Sequence, residues 1–138
     1  MTSAVQLPLK LGSVTAPDWS ADPSRWCAWL LTTNGHLYVE FRRLVDEMLA
    51  RRPDAKLSAD QVCHVMRWNA QLRSEGDLFK VNNNAAALFA RLYVVERPWA
   101  AGVFETRRSK LDDLTPEKWE RVLLAFESLR SDRVRRGA

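Results

Sequence analysis

The chain has 138 residues, 46% hydrophobic and 28% charged, with a formal net charge of +4. That length predicts one domain with a single core, and that balance a water-soluble globular protein. No apolar run approaches the roughly 20 residues of a membrane span, and residues 1–11 lack the charged start and long apolar stretch of a secretion signal. A cytoplasmic protein without membrane attachment is therefore expected.

Residues 1–33 read as an irregular arm. Pro8, Gly12, Pro17 and Pro23 interrupt its first 24 residues. Trp19, Trp26 and Trp29 fall within eleven residues of one another. They either cover the protein's own core or offer a partner a docking surface, since tryptophan is favoured at interface hot spots.

A single helical domain is expected over 34–130. Asn34 can cap a helix over about 36–51, in which Leu37, Phe41, Leu44, Val45 and Met48 make an apolar stripe. Arg51 and Arg52 suit its C-terminal end, and Pro53 stops it. A second helix starts at Ser58 and runs to about Leu72, before Gly76. Ser58 and Gln61 form a capping-box pattern, and Leu57 and Val62 are spaced as a hydrophobic staple. Val62, Val65, Met66 and Trp68 are assigned to its buried side.

Residues 78–81 read as a short strand. The run Asn82-Asn83-Asn84 suits a helix start better than a helix interior or a strand. The third helix then extends to about Glu96, before Pro98. It is apolar nearly all round, which predicts burial, with Arg91 as the exception. Residues 102–107 read as a second strand that would pair with 78–81. Thr115 and Pro116 cap and begin a last helix over about 116–130, with Trp119, Val122, Leu123, Phe126 and Leu129 on its inner side. Residues 131–138 read as a basic, frayed tail. The expected fold is thus mainly α: a compact helical bundle with at most a small two-stranded β-hairpin, in a winged-helix-like order.

The residues argue against an enzyme. Cys63 and His64 are sequence neighbours on a helix, so their side chains diverge and form no dyad. Asp77 and Glu105 could meet, but two carboxylates do not make a nuclease-type cation site. No glycine-rich phosphate loop is present. Cys27, Cys63, His36 and His64 lack metal-site spacing, so reduced, buried thiols are expected, with neither metal nor cofactor.

The charge is uneven. Residues 67–110 hold eight basic and four acidic side chains, whereas residues 1–66 hold seven of each and residues 111–138 six of each. The whole excess therefore surrounds the asparagine run. A local basic excess is a hint of an anionic partner. If the third helix entered a DNA groove, Asn82, Asn83 and Asn84 would lie at its reading end, where asparagine can pair bidentately with adenine. Lys80, Arg107, Arg108 and Lys110 would hold phosphates. Against this stand the long connection from Arg73 to Asn83 and the few polar positions on the helix. The alternative is structural: the asparagines satisfy buried backbone groups at a sharp corner, and Arg67 and Arg91 pair internally with Glu105 or Asp77.

Over about half the chain, Asn34 to Arg107 resembles a family of small proteins from phages, prophages and bacterial mobile elements. The residues that carry the likeness are Asn34-Gly35-His36-Leu37-Tyr38-Val39-Glu40-Phe41, Arg67-Trp68, Phe79-Lys80-Val81-Asn82-Asn83-Asn84, Ala90-Arg91, Pro98 and Phe104-Glu105-Thr106-Arg107. Gly35, where proline is expected, and Ala85 to Ala87 depart from the pattern. The resemblance implies a compact helical domain in a mobile-element setting and brings no catalytic mechanism. The leading expectation is non-catalytic binding of nucleic acid, DNA foremost. The alternative is a protein-interaction module, contacting a host or defence complex through Trp19, Trp26 and Trp29.

Overall fold

A computed structural model describes residues 16–72 and 83–137. Among these, five α-helices dominate: α1 (Pro23–Thr33), α2 (Gly35–Arg51), α3 (Ala59–Leu72), α4 (Asn83–Glu96) and α5 (Pro116–Gly137). Short 3-10 turns cover Pro98–Ala100 and Lys110–Asp113. The chain divides into two compact units, one containing residues 36–108 and the other residues 16–35 with 109–137.

In the first unit the core comes from the inner faces of α2, α3 and α4. On α2 the buried side chains are Leu37, Tyr38, Phe41, Val45 and Leu49. Met48, assigned to the same stripe from its spacing, is 43% exposed. On α3 the buried pair is Cys63 and Met66. α4 buries Ala85, Ala86, Leu88, Phe89, Ala90, Leu92 and Tyr93, as its apolar circumference predicts. Phe41 sits amid the aromatic cluster. Its ring centroid lies 6.3 Å from Tyr38, 5.4 Å from Phe89 and 5.8 Å from Phe104.

The start of α3 follows its capping signal, with the Gln61 amide donating to Ser58 Oγ at 3.2 Å. The segment 102–107, expected as a strand, is corrected to a single parallel bridge between Leu57 and Phe104. The Leu57 amide donates to the Val103 carbonyl at 2.8 Å and the Glu105 amide to the Leu57 carbonyl at 3.3 Å. Gly102, at φ +93°, turns the chain just before this contact, and Phe104 enters the aromatic core. The pairing expected with 78–81 lies outside the described residues.

The second unit packs α1 along α5. Residues 23–33, read above as part of an irregular arm, are helical. Asp22 is the N-cap, accepting from the Arg25 amide at 3.2 Å, and Pro23 occupies the first turn, where its missing N–H is no loss. Arg121 on α5 donates to Asp22 Oδ2 and to Ser24 Oγ, each at 3.1 Å. The Ser24 hydroxyl, then the Arg25 amide and Arg121, hold the Asp22 carboxyl below its ordinary range. Asn34 closes α1, its amide donating to the Leu30 carbonyl at 2.7 Å, and it alone separates α1 from α2.

Trp26, Cys27, Trp29, Leu30 and Leu31 are buried, as are Leu111, Val122, Ala125 and Phe126. α5 approaches Gly35 so closely that a Cβ there would stand 2.6 Å from Leu129 Cδ1. The α5 start matches its signal, with the Lys118 amide donating to Thr115 Oγ1 at 3.3 Å. Its helix continues past Arg130 to Gly137, through the residues read above as a frayed tail.

Candidate functional site

The side chains singled out in the sequence are dispersed. Lys80 and Asn82 lie outside the described residues, and so does Asp77. Asn83 opens α4, though its side chain is outside the described part; Asn84 follows in the first turn, half-buried. Arg107 and Arg108 are exposed on the segment after Phe104. Lys110, also exposed, begins the second 3-10 turn and belongs to the other unit.

Arg91 ties part of this together. Its guanidinium donates to the Ala87 carbonyl one turn earlier on α4, at 2.8 Å, and to the Arg107 carbonyl at 3.2 Å. The half-buried cation thereby braces the Arg107–Arg108 segment against α4 through backbone oxygens. Arg67 is hydrogen-bonded to His64 Nδ1, one turn back on α3.

A second polar cluster fixes α4 to α2. Tyr38 donates to Glu96 Oε1 at 2.6 Å, and Arg42 reaches both Glu96 oxygens, at 3.2 and 2.9 Å. Arg97 donates to Glu96 at 3.4 Å and to Asp46 at 3.0 Å, and Tyr93 donates to Asp46 at 2.5 Å. The Arg97 guanidinium lies 4.9 Å from the Tyr93 ring centre. The cluster is composed as an alternation of donors and carboxylates, which lets charged groups sit at the edge of an apolar core. It holds the helices together and offers no nucleophile.

Burial, reinforced by the neighbouring carboxylates, pushes the Tyr38 and Tyr93 phenols above their ordinary value of 10.0. The folded protein therefore keeps two protons that an unfolded chain releases near pH 10. The tyrosines' contribution to stability is complete below about pH 10 and declines as pH rises beyond it. These are the chain's two tyrosines. A spectrophotometric titration should detect no tyrosinate until the protein unfolds in alkali; an ordinary step near pH 10 in still-folded protein would contradict the arrangement.

Burial also raises both thiols, Cys27 and Cys63 each to about 12, so neither is a nucleophile near neutrality. Among the described residues no group of three His, Cys, Asp or Glu side chains is placed to hold a metal ion. No described helix is long and apolar enough to cross a membrane.

Comparison with known proteins gives no match to a family model, a curated protein or a solved structure.

The tryptophans redistribute the candidate contacts. Trp26 and Trp29 are 4% and 8% exposed, and Trp19 packs edge-on to Trp26 at 5.3 Å. Trp26 and Trp29 belong to a core, because α5 covers the face that an irregular arm would have left open. Among the described residues, the buried Trp29 indole nitrogen has no hydrogen-bond partner. Trp68, assigned to the core, is instead 61% exposed, and Val65 is 45% exposed. Trp99, not singled out in the sequence, is 66% exposed. The signal for Trp68 was available: it lies two residues, about 200° of helix rotation, beyond the buried Met66.

Proposed function

We propose that the protein is a non-catalytic nucleic-acid-binding protein of phage or mobile-element type, acting in the cytoplasm, with DNA as the foremost ligand. The observation that carries this reading is the Arg91 brace. It ties the backbone of Arg107, which is exposed beside Arg108, to the helix that opens with Asn83 and Asn84. Cations that neutralise phosphates gain affinity through release of the counterions of DNA. Asn84 in the first turn of α4 would add an amide contact, and Lys80, Asn82 and Asn83, which precede it in sequence, are further candidates. Lys110 continues the arginine pair in sequence. In this reading α3, α4 and residues 103–108 take the order helix, reading helix and wing of a winged-helix module, with Leu57 as the wing's backbone partner in place of a hairpin.

The double variant Lys80→Ala/Arg107→Ala should bind random duplex DNA about tenfold more weakly at low salt, and the slope of log K against log salt should shrink by about 1 per cation removed. Failure of the wild-type protein to retard duplex DNA in a low-salt gel would end the reading.

A second reading, a protein-interaction module acting on a host or defence complex, is favoured by a different observation. Met48, Val65 and Trp68 are exposed on α2 and α3. Trp26 and Trp29 no longer serve it, since replacing either would disturb the α1–α5 packing before it probed a surface.

A further inference from the structure

We propose that the chain exchanges α1 between two copies of itself. Asn34 straightens, α1 and α2 join into one helix from Pro23 to Arg51, and each α1 docks on the α5 of the other copy. The proposal stands apart from the nucleic-acid and protein-interaction readings, since its partner is a second molecule of this chain.

The hinge is one residue long. Asn34 has φ −137° and ψ 38°, outside the helical region. Its amide nevertheless donates to the Leu30 carbonyl at 2.7 Å, which is the i to i−4 bond of an α-helix. Across this break the amides that open α2 have no i−4 carbonyl from their own helix; those carbonyls lie at the end of α1. A straight Asn34 would restore the ladder. Helix–helix connections commonly take about 2–8 residues. A connection shorter than that is the kind that favours exchange of an element between copies over closure within one.

What α1 gives up on leaving fixes what it must find. Trp26, Cys27, Leu30 and Leu31 are at most 4% exposed. The helix that carries them packs on α5 and on the 3-10 turn Lys110–Asp113. A straightened chain on its own would bare this face to water, at a cost that scales with the apolar area uncovered. The surface that fits α1 is already defined by the fold. Arg121 of α5 donates to Asp22 Oδ2 and to Ser24 Oγ at the start of α1, each at 3.1 Å. A second copy offers that same surface, so no new contact has to be found, and the exchange is reciprocal, which closes the assembly at two chains. α1 and α5 are connected only through the residues of the other unit, so their contacts can form between chains as they form within one. The resulting dimer carries two copies of the unit of residues 36–108 and of any site on it.

The test refolds the full chain from urea over a range of protein concentrations and measures its mass by light scattering behind a sizing column. The wild-type dimer fraction should rise with the refolding concentration. Asn34→Ala should raise the dimerisation constant about tenfold, because each of the two hinges in a dimer gains helix propensity. Insertion of Gly-Gly-Ser after Asn34 gives the chain a connection long enough to close on itself and should abolish the dimer. A charge exchange then reads which helices meet. Asp22→Arg alone and Arg121→Asp alone each set like charges against one another, whether α1 closes on its own α5 or on that of an identical copy. A mixed dimer of the two variants restores an opposite pair at both of its α1–α5 contacts. In native mass spectra of the co-refolded variants, whose folding is checked by circular dichroism, mixed dimers should exceed their statistical share. Monomer at every refolding concentration in both the wild type and Asn34→Ala overturns the proposal. So do dimers that persist in the insertion variant, which would place the contact on an outer surface, and mixed dimers at no more than the statistical share.

Discussion

Replacing Phe41 by alanine should remove about 3–5 kcal/mol of folding stability, as large-to-small changes at fully enclosed aromatic sites do. Phe41 is 0% exposed, and Tyr38, Phe89 and Phe104 all stack or tilt against its ring. These neighbours come from α2 itself, from α4 and from the Leu57-bridged segment, so no single element can move in to fill the void. A total stability of about 5–15 kcal/mol is usual for a protein of this size. The variant should therefore approach the unfolding threshold at physiological temperature. Phe41→Leu, which keeps most of the volume, should lose much less. Urea unfolding of the three proteins checks this; a deficit under about 1.5 kcal/mol for the alanine variant would mean that the cluster is not the centre of the core.

The second large effect is expected at Glu96. Its side chain is 9% exposed and accepts from Tyr38, Arg42 and Arg97. Glu96→Ala would remove the acceptor that Glu96 gives the Tyr38 phenol and the carboxylate that Arg42 reaches, while Arg97 would keep Asp46. Removing one member of a buried ion pair costs about 3–5 kcal/mol. Arg42 and Arg97 are partly open to solvent, at 19% and 27% exposure, which places this case at about 3 kcal/mol. Glu96→Gln keeps an acceptor for Tyr38 and should lose less than half as much. Equal losses in the two variants would mean that charge contributes nothing and that shape alone is at stake.

How far the fold could be read in the sequence varies by element, for physical reasons. The starts of α3 and α5 were legible because Ser58 and Thr115 are local capping signals, and each hydroxyl accepts from the amide three residues on. The burial of α4 was legible because apolar residues on every side leave no alternative. α1 was missed because Pro23 was weighed as a breaker, although after Asp22 it marks a helix start. The face of α3 was misassigned in part: Cys63 and Met66 define its inner side, while Val65 and Trp68, at 45% and 61% exposed, lie off it. For the site, single residues could be nominated from charge and asparagine content. The Arg91 brace joins side chain to distant backbone, and no spacing rule encodes such a contact. The Tyr38–Glu96 and Tyr93–Asp46 pairs likewise join residues 58 and 47 positions apart.

The pairing of α1 with α5 makes one unit from two stretches that are distant in sequence, with the residues of the other unit between them. More than eighty residues separate Thr33 from Pro116. At a ribosomal pace of about 5–20 residues per second, Trp26, Trp29, Leu30 and Leu31 wait roughly 4–16 s for the helix that covers them. During that interval an oily segment of the nascent chain stays uncovered by its own helix. The other unit, whose residues are contiguous, can close while the two stretches are still apart.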